Sequence, residues 1–230
     1  MVAPVLRRSR RRESGRLAAA AVTYAGLGWP VALGAYPRGN ARSAGRACSC
    51  DRVGCPAPAA HPMSPAWQIQ ATSDPGQARQ RWAHHPEANV ILPTGRVFDV
   101  LDVPAAAGLA ALAMMQDAGV ATGPVAAGSG RTMFFVATRG APDDEDEWWS
   151  CGLDASPDPS MQTEEVRWHC RDSFVLAPPS RFGTGQDVRW VREPAGLQAP
   201  GGTATHNPRT ELPDGLRLLE YLVDACEEEG

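Results

Sequence analysis

The chain has 230 residues, enough for one domain with additions or two small ones, and its 43% hydrophobic and 21% charged residues exclude disorder throughout. Its 22 basic residues are all Arg, which excludes chemistry that needs a lysine, such as a Schiff base, a P-loop clamp or a Ser-Lys dyad. Net charge is −4, yet residues 1–16 carry +5 through six Arg and one Glu; this leaves −9 on the rest and excludes a basic coat over the folded body.

In chain order, residues 1–16 read as a flexible Arg-rich tail. Together with Leu17–Val22 they resemble the start of a secretory leader. Thr23, Tyr24 and Gly26 interrupt that apolar stretch, however, and no convincing cleavage site follows. The competing reading is an Ala-rich helix over 16–27 stopped at Gly28, then a strand over 30–35. No apolar run reaches the ~18 residues of a membrane span, so the expected location is the cytoplasm, without a membrane partner.

Residues 45–62 form a Gly/Pro-rich segment with few core-forming side chains. Cys48, Cys50 and Cys55 fall within eight residues, and His61 follows six residues on. Cys-x-Cys is too tight for an easy mutual disulfide. Three thiolates and an imidazole suit tetrahedral zinc, and Asp51 and Gly54 are turn formers that let a loop wrap a metal. The expected role of the zinc is structural. The bland alternative is three unliganded loop cysteines beside an unrelated His61. Cys151, Cys170 and Cys226 are scattered and read as incidental thiols.

A helix is expected over 74–84, with Asp74 as its cap and Pro75 in its first position. His84 and His85 then lie at its C-terminal end. Strands follow over 89–93 and 97–103, the second closed by Pro104. An Ala-rich helix over 105–118 ends at Gly119. Val125–Ala127 and Met133–Ala137 read as a hairpin across Gly128-Ser129-Gly130-Arg131. The acidic run Asp143–Glu147 and the adjoining Trp148-Trp149 read as a solvated segment, or as a docking surface for a partner. Further strands are expected over 166–168, 174–177 and 187–191, and a last helix over 214–226. Trp67, Trp82, Trp168 and Trp190 read as core. Strands and helices interleave without strict βαβ order, which points to an α/β (α+β) fold with a mixed sheet flanked by helices.

Several segments, in this order, carry a resemblance: Ala71-Thr72-Ser73-Asp74-Pro75, Arg81 to Val90, Thr94-Gly95, Val100-Leu101-Asp102-Val103, Gly128-Ser129-Gly130-Arg131 and Ala177-Pro178-Pro179-Ser180. The string resembles the N-terminal domain of bifunctional DNA primase-polymerases, a branch of the archaeo-eukaryotic primase superfamily. Gly28-Trp29-Pro30-Val31 and the Cys-rich segment ending at His61-Pro62 look like the actinobacterial members. The likeness covers about residues 17–192. It implies a primase-polymerase-like domain over 17–195 with the zinc loop 45–62 inserted, followed by a linker and C-terminal helix over 196–230.

The resemblance also implies a two-metal site built on an Asp-x-Asp or Asp-x-Glu strand. Here Asp102 matches the first acid, but the second position is Pro104. Asp99 lies three residues earlier, which puts it on the other face of a regular strand. Thr132 stands where the family has a triphosphate-holding His. Arg171 stands where a third acid is expected, with Asp172 adjacent. Candidate catalytic residues are thus Asp102, Asp99 and Asp172, and candidate phosphate-binding residues are Ser129, Arg131, Ser180 and Arg181.

Three altered positions favour a degenerate family member that binds DNA or a nucleoside triphosphate without catalysis. One alternative is an active, Mg²⁺- or Mn²⁺-dependent primase-polymerase with a rearranged acidic site. Another is a protein-interaction module that uses the zinc loop and the acidic segment. A role in primer synthesis calls for a separate helicase or replication protein.

Overall fold

The structure is a computed structural model that describes residues 3–38, 48–138, 166–197 and 212–229. The acidic run Asp143–Glu147, Trp148-Trp149 and Cys151 lie outside the described residues, as do residues 45–47 of the Cys-rich segment and 198–211 of the expected linker. The chain divides into two compact units, Met1–Leu92 with Leu176–Asp187, and Pro93–Val175 with Val188–Gly230.

The first unit begins with α1 (Ala3–Gly26). It starts well before residue 16, where a flexible tail was expected to end, so the backbone of the Arg-rich segment is helical. Arg, Leu and Ala are good helix formers, and Pro4 sits in the first turn, where its missing N–H costs nothing. Leu17, Ala21, Tyr24 and Ala25 are buried at helical spacing, and α1 packs on α3 (Pro75–His84). Gly28, at φ 79°, ends the helical run. As expected, Asp74 caps α3: its side chain accepts from the Gln77 N–H at 2.7 Å, and Pro75 follows. Trp82 is buried, and its indole N–H donates to the Ala88 carbonyl at 2.9 Å. A short helix, α2 (Trp67–Gln70), precedes α3 and buries none of its residues.

The sheet of this unit pairs β1 (Ala32–Gly34) antiparallel with the wholly buried β2 (Asn89–Pro93), Ala32 opposite Ile91 and Gly34 opposite Asn89. Strand β7 (Phe174–Leu176) completes the order β1–β2–β7. Asn89 joins three segments: its side-chain nitrogen donates to the carbonyls of Ala35, Ala59 and Arg181, and its oxygen accepts from the Arg181 N–H. A buried amide with this many partners fixes loop positions that apolar packing alone would leave loose.

The second unit is a five-stranded sheet in the order β6–β3–β5–β4–β8, formed by β3 (Phe98–Pro104), β4 (Val125–Gly128), β5 (Arg131–Ala137), β6 (Arg167–His169) and β8 (Arg189–Arg192). The α+β class read from the sequence is present. The described pairings are antiparallel, where a mixed sheet was expected. The tight connection Ser129-Gly130, both at positive φ, returns β5 beside β4. Leu101, Val103, Phe134, Val136 and Trp168 cover one face of the sheet. They pack with residues of α4 (Ala105–Asp117) and α5 (Gly215–Glu229), including Ala111, Met115, Leu218 and Leu222. Cys170 and Cys226 are partly buried against this core. Strand alternation sends Val100, Asp102, Met133, Phe135, Arg167 and His169 to the opposite face.

Candidate functional site

Asp102 lies near the end of β3, directly opposite Met133 of β5 and Arg167 of β6. Two neighbours on its own face turn onto it. The Arg131 Nε donates to Asp102 Oδ1 at 2.8 Å, and another nitrogen of that guanidinium donates to the Asp102 backbone carbonyl at 2.8 Å. His169 Nε2 lies 3.3 Å from Asp102 Oδ2 and Nδ1 3.1 Å from Ser173 Oγ. A carboxylate has no proton to give, so the His169 Nε2–H is the donor. Both carboxylate oxygens therefore accept from the protein itself.

The cluster is closed, with side-chain exposures of 15% for Arg131, 10% for Asp102 and 12% for His169. Burial pushes the Asp102 carboxyl up, but the His169 hydrogen bond and the Arg131 and His169 charges outweigh it and hold the carboxyl below its ordinary value. Burial, then the Arg131 charge, lowers the Arg167 guanidinium, against the pull of Asp102. Among the described residues, Arg131, Arg167 and His169 thus surround Asp102 on this face.

The other expected site residues lie apart from this cluster. The β3–β5 register runs without a bulge from Phe98–Ala137 to Pro104–Arg131, so Asp99 stays on the helix-packed face. It is 2% exposed there, and the Trp168 indole N–H donates to its Oδ2 at 3.3 Å. Asp172 is an exposed turn residue at φ 65°, with Arg171 Nε 3.9 Å away. Thr132 also faces the helices: a Cβ placed on Gly108 of α4 would lie 2.5 Å from the Thr132 Cβ. Ser129 is a turn residue at φ 54° between β4 and β5. Ser180 is fully buried, and its hydroxyl accepts from the Val90 N–H at 2.9 Å. Arg181 forms an ion pair with Glu13 at 2.5 Å.

The sequence reading missed Arg167 and His169. The available signal was their period-two spacing around the apolar Trp168, which sends both to one face of a strand. It also missed the partly exposed Trp67, read as core. Trp82 and Trp168 are core as expected, and the Trp190 ring packs 5.2 Å from Phe135.

The first unit holds a second cluster. The ligand atoms of Cys48, Cys50, Cys55 and His61 all lie within 4.8 Å of one another. A tetrahedral zinc with Zn–S ≈ 2.3 Å places its ligands ~3.8 Å apart, so this donor set fits that ion. Local chain geometry brings the donors together. The Asp51 N–H donates to the Cys48 carbonyl, and Asp51 and Gly54 take positive φ, which folds the loop back on itself. His61 is anchored through its carbonyl, which accepts from the Ala35 N–H at 2.8 Å. Its Nδ1–H donates to the Pro62 carbonyl at 2.8 Å, which leaves Nε2 for a metal. The Ala59 N–H donates to Cys48 Sγ at 3.2 Å, a bond that supports a thiolate. Burial raises the Cys50 thiol, but the Arg52 backbone N–H and the neighbouring Cys48, His61 and Cys55 outweigh it and bring it to about 7. Burial, then the neighbouring Cys50 and Cys48, push Cys55 up to about 11 against the Ala57 backbone N–H.

Among the described residues no helix is long and apolar enough to cross a membrane. A family model, "Bifunctional DNA primase/polymerase, N-terminal", matches residues 21–214. No curated protein and no solved structure matches the chain.

Proposed function

The chain belongs to the family of bifunctional DNA primase/polymerase N-terminal domains, and from that premise we propose that it acts as a DNA- or nucleotide-binding module whose catalytic centre is degenerate. The observation that carries this reading is the double occupation of Asp102 by Arg131 and His169. Two-metal phosphoryl transfer needs carboxylate oxygens that face the ions together. Here Asp102 pairs with the Arg131 guanidinium and accepts from the His169 imidazole. Pro104 has no side-chain oxygen, and Asp99 is on the other face. Replacing the metal clamp by internal cations removes the largest electrostatic contribution to the reaction.

In this reading Cys48, Cys50, Cys55 and His61 hold one structural zinc, with no coordination position left for a reacting water. The work of the module lies in DNA replication in the cytoplasm, beside a separate helicase or replication protein. Mg²⁺ or Mn²⁺ has a role only in the competing reading of an active enzyme.

Primer synthesis and primer extension assays with Mg²⁺ and with Mn²⁺ test the proposal. The expected result is no incorporation above background, together with measurable oligonucleotide binding. Robust incorporation that Asp102→Ala abolishes overturns the degenerate reading. Absence of both oligonucleotide and nucleotide binding overturns the binding reading.

A further inference from the structure

His169 of the second unit lies between two side-chain oxygens. Its Nε2 is 3.3 Å from Asp102 Oδ2, and its Nδ1 is 3.1 Å from Ser173 Oγ. The Asp102 carboxylate fixes the proton on Nε2, so in the neutral ring Nδ1 carries a lone pair and the Ser173 hydroxyl donates to it. A hydroxyl, an imidazole and a carboxylate in series are the parts of an activated serine, recognised by geometry and roles rather than by order in the chain. We propose that Ser173 is a nucleophile, with His169 as its general base and Asp102 as the positioning residue behind the base, and that it takes small activated carboxylic esters. The proposal goes beyond the nucleic-acid reading above and shares with it only that Asp102 holds no metal.

The local chain builds this series. His169 stands opposite Val100 in the β3–β6 pairing, which puts it on the same face as Asp102 two residues on. After β6 the chain turns at Asp172, whose φ of 65° is a left-handed conformation that Asp tolerates. The turn brings Ser173 back to His169, four residues earlier. The Ser173 N–H donates to the Cys170 carbonyl at 3.4 Å, and the Ser173 carbonyl accepts from the Thr94 N–H at 3.0 Å, so its backbone is held on both sides. Gly95, at φ 76°, permits this close approach: a Cβ there would lie 2.3 Å from the Arg171 Cα. Ser173 and His169 are partly exposed and Asp102 is buried, so nucleophile and base meet a substrate while the carboxylate is screened behind them. The partial cover limits the substrate to a small acyl group.

Nδ1 rather than Nε2 faces the serine, and either ring nitrogen can take a proton once the tautomer is set. Ser173 Oγ attacks the ester carbonyl carbon as its proton passes to His169 Nδ1, and a C–O bond to Oγ forms. The imidazolium, held by Asp102, gives that proton to the leaving alcohol oxygen as the ester C–O bond breaks. Water then attacks the acyl group on Ser173 by the same route, which releases the acid and restores the hydroxyl.

The test uses the full chain and a fluorophosphonate probe, which forms a bond from Oγ to phosphorus as fluoride leaves. Digestion and mass spectrometry of the wild type should place the probe on Ser173. Ser173→Ala, which removes one oxygen from a turn and keeps its backbone hydrogen bonds, should abolish labelling. It should also abolish the nitrophenolate burst that p-nitrophenyl acetate gives with the wild type. His169→Gln, a hydrogen-bonding side chain of similar size, should slow labelling about a hundredfold. Asp102→Asn should slow it and lower the pH of half-maximal labelling, because the imidazolium loses its carboxylate while Arg131 and Arg167 on that face, and Arg171 and Asp172 in the turn, are unchanged. A merely structural role would leave that midpoint in place, and an unshifted midpoint overturns the role of Asp102. A wild type that stays unlabelled, a label confined to other residues, or an unchanged rate in His169→Gln overturns the proposal, and none of these outcomes bears on DNA or nucleotide binding.

Discussion

The thiol loop of the first unit and the Asp102 face of the second both gather residues that bind metals, and they differ in what the chain supplies around them. In the loop, three sulfurs and one imidazole converge within 4.8 Å. Such a set is repulsive once the thiols ionise, and a divalent ion resolves that repulsion. On the strand face Asp102 already has Arg131 and His169 as partners, and Arg167 stands opposite it. There the countercharge is covalently part of the fold. A cluster of ligand-type residues thus becomes a metal site or an internal ion network according to whether the chain provides the cation.

The largest effect expected from breaking this contrast is in the loop. Elemental analysis should find about one zinc per chain, and Cys50→Ser should abolish it and open residues 48–61 to protease. Stoichiometric zinc binding in Cys50→Ser, or a protease-resistant loop in metal-free wild type, contradicts the assignment. On the strand face, Asp102→Ala should cost about 3–5 kcal/mol, because it leaves the largely covered Arg131 guanidinium without its carboxylate and the His169 N–H without its acceptor. Chemical denaturation measures this, and a loss below 1 kcal/mol contradicts it.

The same carboxylate has a pH signature. Its folded pKa lies below the ordinary value, so its stabilisation is complete above the unfolded value of about 4 and is lost as pH falls through the lower folded value. Asp102→Asn should therefore show a shallower fall in stability below pH 4 than the wild type. Thr132→His, which restores a family residue in sequence only, should cost ~1–3 kcal/mol by overpacking against Gly108 and should create no nucleotide site. A gain in metal-dependent nucleotide binding would show instead that this side chain reaches the Asp102 face. The smallest change is expected from deletion of residues 1–16. It should flatten the salt dependence of DNA binding in proportion to the number of phosphates that the Arg side chains neutralise. An unchanged salt slope would place the phosphate-binding cations elsewhere.

What the sequence determined by itself is local. Asp74 and Pro75 start α3 because a cap acts over three residues, and Gly28 stops α1 because its backbone takes positive φ. The Cys-x-Cys spacing and its turn formers bring the thiols together within one loop. The β4–β5 hairpin was legible from its turn residues, but the partners of β3, β6 and β8 were not, and neither were Arg167 and His169 as neighbours of Asp102. Arg131 is 29 residues from Asp102 and His169 is 67, so only the pairing of β3 with β5 and β6 joins them. Tertiary structure also decided the faces. An unbroken register put Asp99 and Thr132 against the helices and Asp102 opposite, because alternate residues of a strand point to opposite sides and no bulge intervenes.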